Sequence, residues 1–214
     1  MQVFPGGPGT GATQAFSPRE VTTGLAPAVL EAGPPPAPAL GPPWAARLLT
    51  ATGEDPRLVS RWMHEPHVDR FWDQAWPPAR WAAALAGQLA GDYTRPYLIS
   101  HEGAPLAYVE IYRIPRDVVG QHYPADPHDL GIHLAIGALA DTGRGLGRRL
   151  VRAVAQGLFS ADPRCQSVLA DPDERHTIAR RMFTAAGFAP IGVRDLGHKR
   201  AALYRFPRNP AFRH

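Results

Sequence analysis

The sequence predicts an α/β fold in which a mixed central sheet is flanked by helices. Three observations carry that reading. Short runs with two-residue alternation are interleaved with stretches whose apolar residues recur every three to four positions. A glycine-rich turn, Thr142 to Gly147, joins the apolar run Gly131 to Gly137 to an amphipathic stretch. Two further strand-like runs, Phe188 to Val193 and Ala201 to Phe206, close the chain as a hairpin.

Residues 1 to 43 hold ten prolines and seven glycines, with Phe4 and Phe16 as their only aromatics. So little apolar material does not offset the entropy of ordering, and the stretch reads as a disordered tail before one domain over residues 44–214. Asp55-Pro56 then opens a short helix, with an N-cap type followed by proline and with Leu58 and Trp62 on one face. Pro77 and Pro78 start a second helix, whose Trp81, Leu85 and Leu89 share a stripe. Tyr97 to Ser100 and Leu106 to Ile114 are strands joined by the turn His101 to Pro105; Tyr108, Glu110 and Tyr112 lie on one face of the second. After a loop comes the strand carrying His133, then the glycine turn, then a helix with Leu146, Leu150, Val154 and Leu158 buried. Gln166 to Ala170 is the next strand. Acid-rich Asp171 to His176 opens a helix whose buried side is Ile178, Met182 and Ala186, and Gly187 ends it.

The net charge of +4 is modest; 22 of the 23 basic residues are arginine, Lys199 being the one lysine. These arginines are spread along the chain rather than gathered with stacking aromatics, so nucleic-acid binding is disfavoured. The single cysteine, Cys165, excludes an internal disulfide and cysteine-based zinc cages. The nine histidines show no metal-ligand spacing, and no metal is expected. The N-terminus lacks a basic start followed by an apolar core, and no stretch reaches the ~18 apolar residues of a membrane span. A soluble cytoplasmic protein with no nucleic-acid or membrane partner is expected.

A glycine turn between strand and helix is a place to hold phosphate, because its N–H groups face outward with the positive helix end behind them. Gly143, Gly145 and Gly147 fit neither the P-loop nor the G-x-G-x-x-G dinucleotide pattern. The bland alternative is a helix start that needs glycine only for close packing. His133 has a similar alternative as a hydrogen-bonded core histidine, and Asp171 as the N-cap of the helix that follows it.

Arg144-Gly145-Leu146-Gly147 resembles the pyrophosphate loop of the GNAT acyltransferases, with Thr142 where that family has Arg or Gln. His176 to Phe188 resembles the second signature of the family, with Phe183 where a tyrosine usually protonates the leaving thiolate. The resemblance covers about residues 46 to 208 and implies the GNAT fold, with a splayed central strand pair. It implies no permanently bound cofactor: an acyl-CoA or an acyl-phosphopantetheine carrier protein is the co-substrate. The main chain of Leu134 to Ile136 would hold its arm, and Arg144, Gly145, Leu146, Gly147 and Arg148 its phosphates.

Four stretches, Trp62 to Trp72, Tyr108 to Tyr112, Asp129 to Gly137 and Asp171 to His176, are similar to the siderophore-biosynthesis acyltransferases. These include the mycobactin lysine N-acyltransferases and the aerobactin hydroxylysine acetyltransferases. The resemblance implies that Asp171 accepts the proton of a lysine-type amine or hydroxylamine while His133 contacts the substrate, although imidazole chemistry alone allows the reverse. Trp72, Tyr108 and Glu110 would frame the acceptor pocket. Two other readings stand beside this one. Aminoglycoside 6′-N-acetyltransferases share the Pro-His-Val, glycine-turn and Asp-Pro elements. An inert GNAT scaffold that binds a carrier or another protein would account for Thr142 and Phe183.

Overall fold

β4 (Leu130–Ile136) runs through the middle of a seven-stranded sheet, and the other elements are placed most simply around it. The computed structural model describes residues 19–208. Within them the chain forms α1 (Pro27–Glu31), β1 (Trp44–Leu48), α2 (Asp55–Met63), α3 (Pro66–Trp72), α4 (Pro78–Ala90), β2 (Thr94–His101) and β3 (Ala104–Arg113) before β4. After it come α5 (Leu146–Ala161), β5 (Ser167–Ala170), α6 (Thr177–Ala185), β6 (Ala189–Asp195) and β7 (Arg200–Pro207). The strand order is β1-β2-β3-β4-β5-β7-β6, and only β4 and β5 pair in parallel.

Two faces of this sheet are buried by different helices. α5 lays Leu146, Leu150, Val154 and Leu158 against Val109, Ile111, Ile132 and Val168, as its four-residue spacing requires. Burial of each such side chain contributes about 1.5–3 kcal/mol. α2, α3 and α4 cover the opposite face, where Trp62, Met63, Val68, Trp81 and Leu85 pack on Leu98, Tyr108 and Ala135. The sequence reading misses β1 and α3. It also misplaces one residue of the α6 stripe: Ile178 is 75% exposed, whereas Met182 and Ala186 turn inward as expected and Phe183 joins them.

The tail reading fails from Arg19 onward, while residues 1–18, with Phe4 and Phe16, lie outside the described residues. Residues 19–43 run over the domain, held by hydrogen bonds to their backbone as well as by buried side chains such as Val29. The Arg113 guanidinium donates to the carbonyls of Ala32 and Gly33, each at 3.0 Å, and to the Asp162 carboxylate at 3.0 Å. Ala39 N donates to Gly157 O at 3.1 Å. Composition cannot foresee this, because the donors come from distant parts of the chain.

The arrangement that creates a site is the brevity of the β4–β5 pairing. The ladder joins Leu130 to Val168 and Gly131 to Leu169, and there it stops, although β4 continues to Ile136 against β3. Beyond Gly131 the two strands part, leaving the rest of β4 without a ladder partner on that side.

Candidate active site

Cross-strand register builds the centre of the site. Glu110 on β3 faces His133 on β4, and Tyr112 faces Gly131. The missing side chain at Gly131 is what lets the Tyr112 ring lie over the strand: a Cβ there would stand 2.0 Å from the ring. His133 donates from Nδ1 to Glu110 Oε2 at 2.9 Å and from Nε2 to Asp171 Oδ1 at 3.0 Å. A neutral imidazole has one N–H, so two carboxylate partners call for the imidazolium. Burial and the Arg19 guanidinium oppose that charge, yet the Asp171 and Glu110 carboxylates prevail and His133 holds its proton above the ordinary imidazole range. In this arrangement His133 donates to a carboxylate on each side.

Asp171 follows directly on β5, at the end where the strands have separated, and its side chain is fully buried. It does not cap α6. That helix begins at Thr177 and is capped by His176, whose Nδ1 accepts from Ala179 N at 3.4 Å. Asp171 Oδ1 accepts from Tyr112 Oη at 2.9 Å as well as from His133. Oδ2 accepts from Arg19 Nη2 at 2.9 Å and forms an ion pair with Lys199 Nζ at 3.1 Å. Burial raises the Asp171 pKa, but Arg19, Lys199 and His133 together hold it well below the usual carboxylate range.

Arg19 also grips Asp117, through Nε at 3.0 Å and Nη2 at 2.9 Å, and Tyr93 Oη donates to the same carboxylate. On the other flank, Glu110 Oε1 accepts from Tyr108 Oη at 2.6 Å and from Gln88 Nε2 at 2.7 Å. Burial opposes ionisation of Glu110, yet hydrogen bonds from His133, Tyr108 and Gln88 bring its pKa below the usual value. Three carboxylates, Glu110, Asp171 and Asp117, are thus balanced by His133, Lys199 and Arg19. Arg19, Lys199, Tyr112, Gln88 and Asp117 were missed by the sequence reading. Two of them carry a signal that could have drawn notice: Lys199 as the lone lysine, and Tyr112 by sharing the strand face of Tyr108 and Glu110.

The other expected site residues fall around this network. Trp72 stands edge-on to Tyr108 and His133, with centroids 5.7 and 6.2 Å away. Leu134 and Ile136 pack their side chains on the main core, and Ile136 O accepts from His67 Nε2 at 3.0 Å, so that carbonyl of β4 is already engaged. The glycine turn lies at the start of α5, where Gly145 is the N-cap in the left-handed region (φ 76°) and no side chain caps the helix. Its first N–H groups are thereby left for an anion. Arg144 and Arg148 flank the turn and are exposed. Thr142 Oγ1 donates to Leu139 O at 2.7 Å and so stabilises the turn itself. Beside the turn is a cavity of about 470 Å³, lined by His101, Pro105, Asp141, Arg144 and Arg149 among others.

Phe183 is a core residue, its ring 5.2 Å from that of Phe188. Cys165 is buried, and burial with nearby carboxylates pushes its thiol up to about 12, which removes it as a nucleophile. Among the described residues no group of three or more His, Cys, Asp or Glu is disposed to hold a metal ion. Nor is any helix long and apolar enough to cross a membrane.

Comparison with known proteins accords with this geometry. Residues 51–196 match the acetyltransferase (GNAT) domain family. The lysine N-acyltransferase MbtK of Mycobacterium sp. (strain MCS) is 42% identical over 194 residues, spanning 91% of this chain and 79% of the relative. The N(6)-hydroxylysine O-acetyltransferase of Escherichia coli is 29% identical over 158 residues, 74% of this chain and 50% of the relative. Aminoglycoside acetyltransferase AAC(6′)-Ib, solved in complex with coenzyme A, aligns with a TM-score of 0.70 at 26% identity, covering 77% of this chain and 95% of that one. By its parted central strands, its glycine turn and these likenesses, the chain belongs to the GNAT acetyltransferase family.

Proposed function

We propose that the protein transfers an acyl group from a thioester donor to the side-chain amine or hydroxylamine of lysine, or of a lysine-like unit, in siderophore assembly. The observation that carries this reading is the Asp171 carboxylate: it is buried at the open end of β5 and already pairs with a lysine ammonium, that of Lys199. The likeness to lysine and hydroxylysine acyltransferases supports the same class of acceptor.

The chemistry follows from the four lone-pair positions of a carboxylate. At Asp171 Tyr112, His133 and Arg19 donate to three of them, and the Lys199 ammonium pairs with Oδ2 at 3.1 Å. An acceptor ammonium reaches Asp171 by displacing one of them, and Lys199, about one-fifth exposed, is chemically equivalent to the incoming group. An alkyl ammonium with a pKa near 10.4 must lose a proton before it can attack. Once attack places positive charge on nitrogen, that nitrogen is far more acidic, and even a carboxylate held at low pKa accepts its proton. His133 orients Asp171 and carries one of the charges that keep Glu110 and Asp171 ionised.

The donor is coenzyme A or the phosphopantetheine of a carrier protein. The exposed arginines Arg144, Arg148 and Arg149 around the turn favour a phosphate-bearing or acidic donor. Aminoglycoside acetylation is the weaker reading, because Asp171, Glu110 and Asp117 are each neutralised from within the chain rather than left to meet a polyamine.

Acyl-CoA and carrier-bound donors assayed against lysine, N6-hydroxylysine and an aminoglycoside test the proposal. Turnover of the lysine-type acceptors is expected, with kcat/KM about a hundredfold lower or worse in Asp171→Ala and His133→Ala, the range for a positioned acid or base. Preference for the aminoglycoside, or full activity in both variants, overturns it. Absence of turnover with every acceptor returns the scaffold reading.

A further inference from the structure

Lys199 is the only lysine in the chain, every other basic residue being arginine. Guanidinium does not deprotonate in proteins, so Lys199 supplies the one side-chain amine able to attack a thioester. It lies in the turn between β6 and β7, yet its Nζ is directed inward: it donates to the Asp171 carbonyl at 2.7 Å and pairs with Asp171 Oδ2 at 3.1 Å.

The place of Asp171 in the fold locates the amine. Asp171 follows β5 directly, beyond the last β4–β5 ladder pair, Gly131 with Leu169. Lys199 Nζ therefore lies at the end of β5 where the two strands have parted, against the residue proposed to take the acceptor's proton.

We propose that Lys199 is an internal acyl acceptor: supplied with an acyl thioester and no free amine, the protein acylates itself at Lys199 Nζ. This rests on the reading above, in which the protein takes an acyl group from a thioester and Asp171 serves the attacking amine. The Lys199 ammonium loses one proton to solvent. The amine then attacks the carbonyl carbon, the N–C bond forms, the C–S bond breaks, and the thiolate departs with the bonding pair. The second proton leaves nitrogen for Asp171 and passes to the thiolate, so no oxidant or reductant is needed.

Acylation exchanges an ammonium for a neutral amide and removes one of the two cations on Asp171 Oδ2. A lone-pair position is then open to a substrate ammonium, so the modification alters the affinity of the site for its acceptor.

The test uses the purified full chain with acetyl-CoA or a longer acyl-CoA, no added amine, and a time course read by intact mass and peptide mapping. A single acyl increment on the Lys199 peptide is expected. It should be absent in Lys199→Arg, slowed at least tenfold when free lysine is added, and no faster than background after urea unfolding. The lysine competition uses wild-type protein and does not depend on a variant that folds. Turnover of free lysine with Lys199 unmodified overturns self-acylation and leaves the proposed function intact. Equal labelling of folded and unfolded protein also overturns it. Failure to acylate either free lysine or Lys199 overturns both.

Discussion

Replacing Glu110 by glutamine keeps the shape of the side chain and removes one of the two carboxylates that hold His133 protonated. The wild-type imidazolium donates to Glu110 Oε2 at 2.9 Å and to Asp171 Oδ1 at 3.0 Å. In the variant, Tyr108 and Gln88 still donate to the Oε1 position, so the amide oxygen is drawn there and the NH2 group faces His133 Nδ1. A donor facing Nδ1 favours the neutral ring with its proton on Nε2. A hydrogen bond to a charged group contributes about 1.5–3 kcal/mol. At 1.36 kcal/mol per pH unit, the His133 pKa should fall by about one to two units. The assay is an NMR titration of the His133 imidazole, assigned by difference from a His133→Asn protein. Stability gives a second readout. His133 has a raised folded-state pKa, so its contribution is present below the unfolded value of about 6.5 and is lost as pH rises through the folded value. The Glu110→Gln protein should lack that alkaline loss. A His133 titration that superposes on wild type would refute the assignment of an imidazolium shared by two carboxylates.

Three further outcomes follow from the same geometry. Gly131→Ala drives a methyl into the Tyr112 ring, where the Cβ would lie 2.0 Å away; denaturant titration should show about 1–3 kcal/mol lost, with weakened acceptor binding as Tyr112 leaves Asp171. Gly145→Ala forces an alanine into the left-handed region at φ 76°, a cost of about 1–2 kcal/mol; KM for the acyl donor should rise while KM for the acceptor stays unchanged. Asp55 is held at about 2 by the Arg47 guanidinium and by Thr50, so its contribution is present above about 3.9 and is lost as pH falls towards 2; an acid titration of Asp55→Asn should lack that part of the decline.

Local signals carried much of the fold. The four-residue stripe of α5, the alternation around Tyr108-Val109-Glu110 and the turn at Gly187 depend on contacts within a few positions, and they are read without knowledge of partners. The stripe of α6 went wrong at Ile178 because the sequence cannot say which side of a short amphipathic helix meets the sheet. Residues 19–43 were read as a tail because their anchors, Arg113 and Gly157, lie far along the chain.

At the site the division is similar. His133 and Asp171 are legible because each lies next to a recognisable element, one before the glycine turn and one at a strand end. Glu110 was placed in the acceptor pocket from its strand face, but its role as partner of His133 depends on the β3–β4 register. The sequence by itself determined the GNAT order of elements, the glycine turn ahead of α5 and two members of the candidate site, since these are written in short-range spacing. Only the tertiary structure decided the charge state of that site. It brings Arg19 and Lys199 from opposite ends of the chain onto one buried carboxylate, and the ionisation of a buried group is set by the charges around it rather than by its neighbours in sequence.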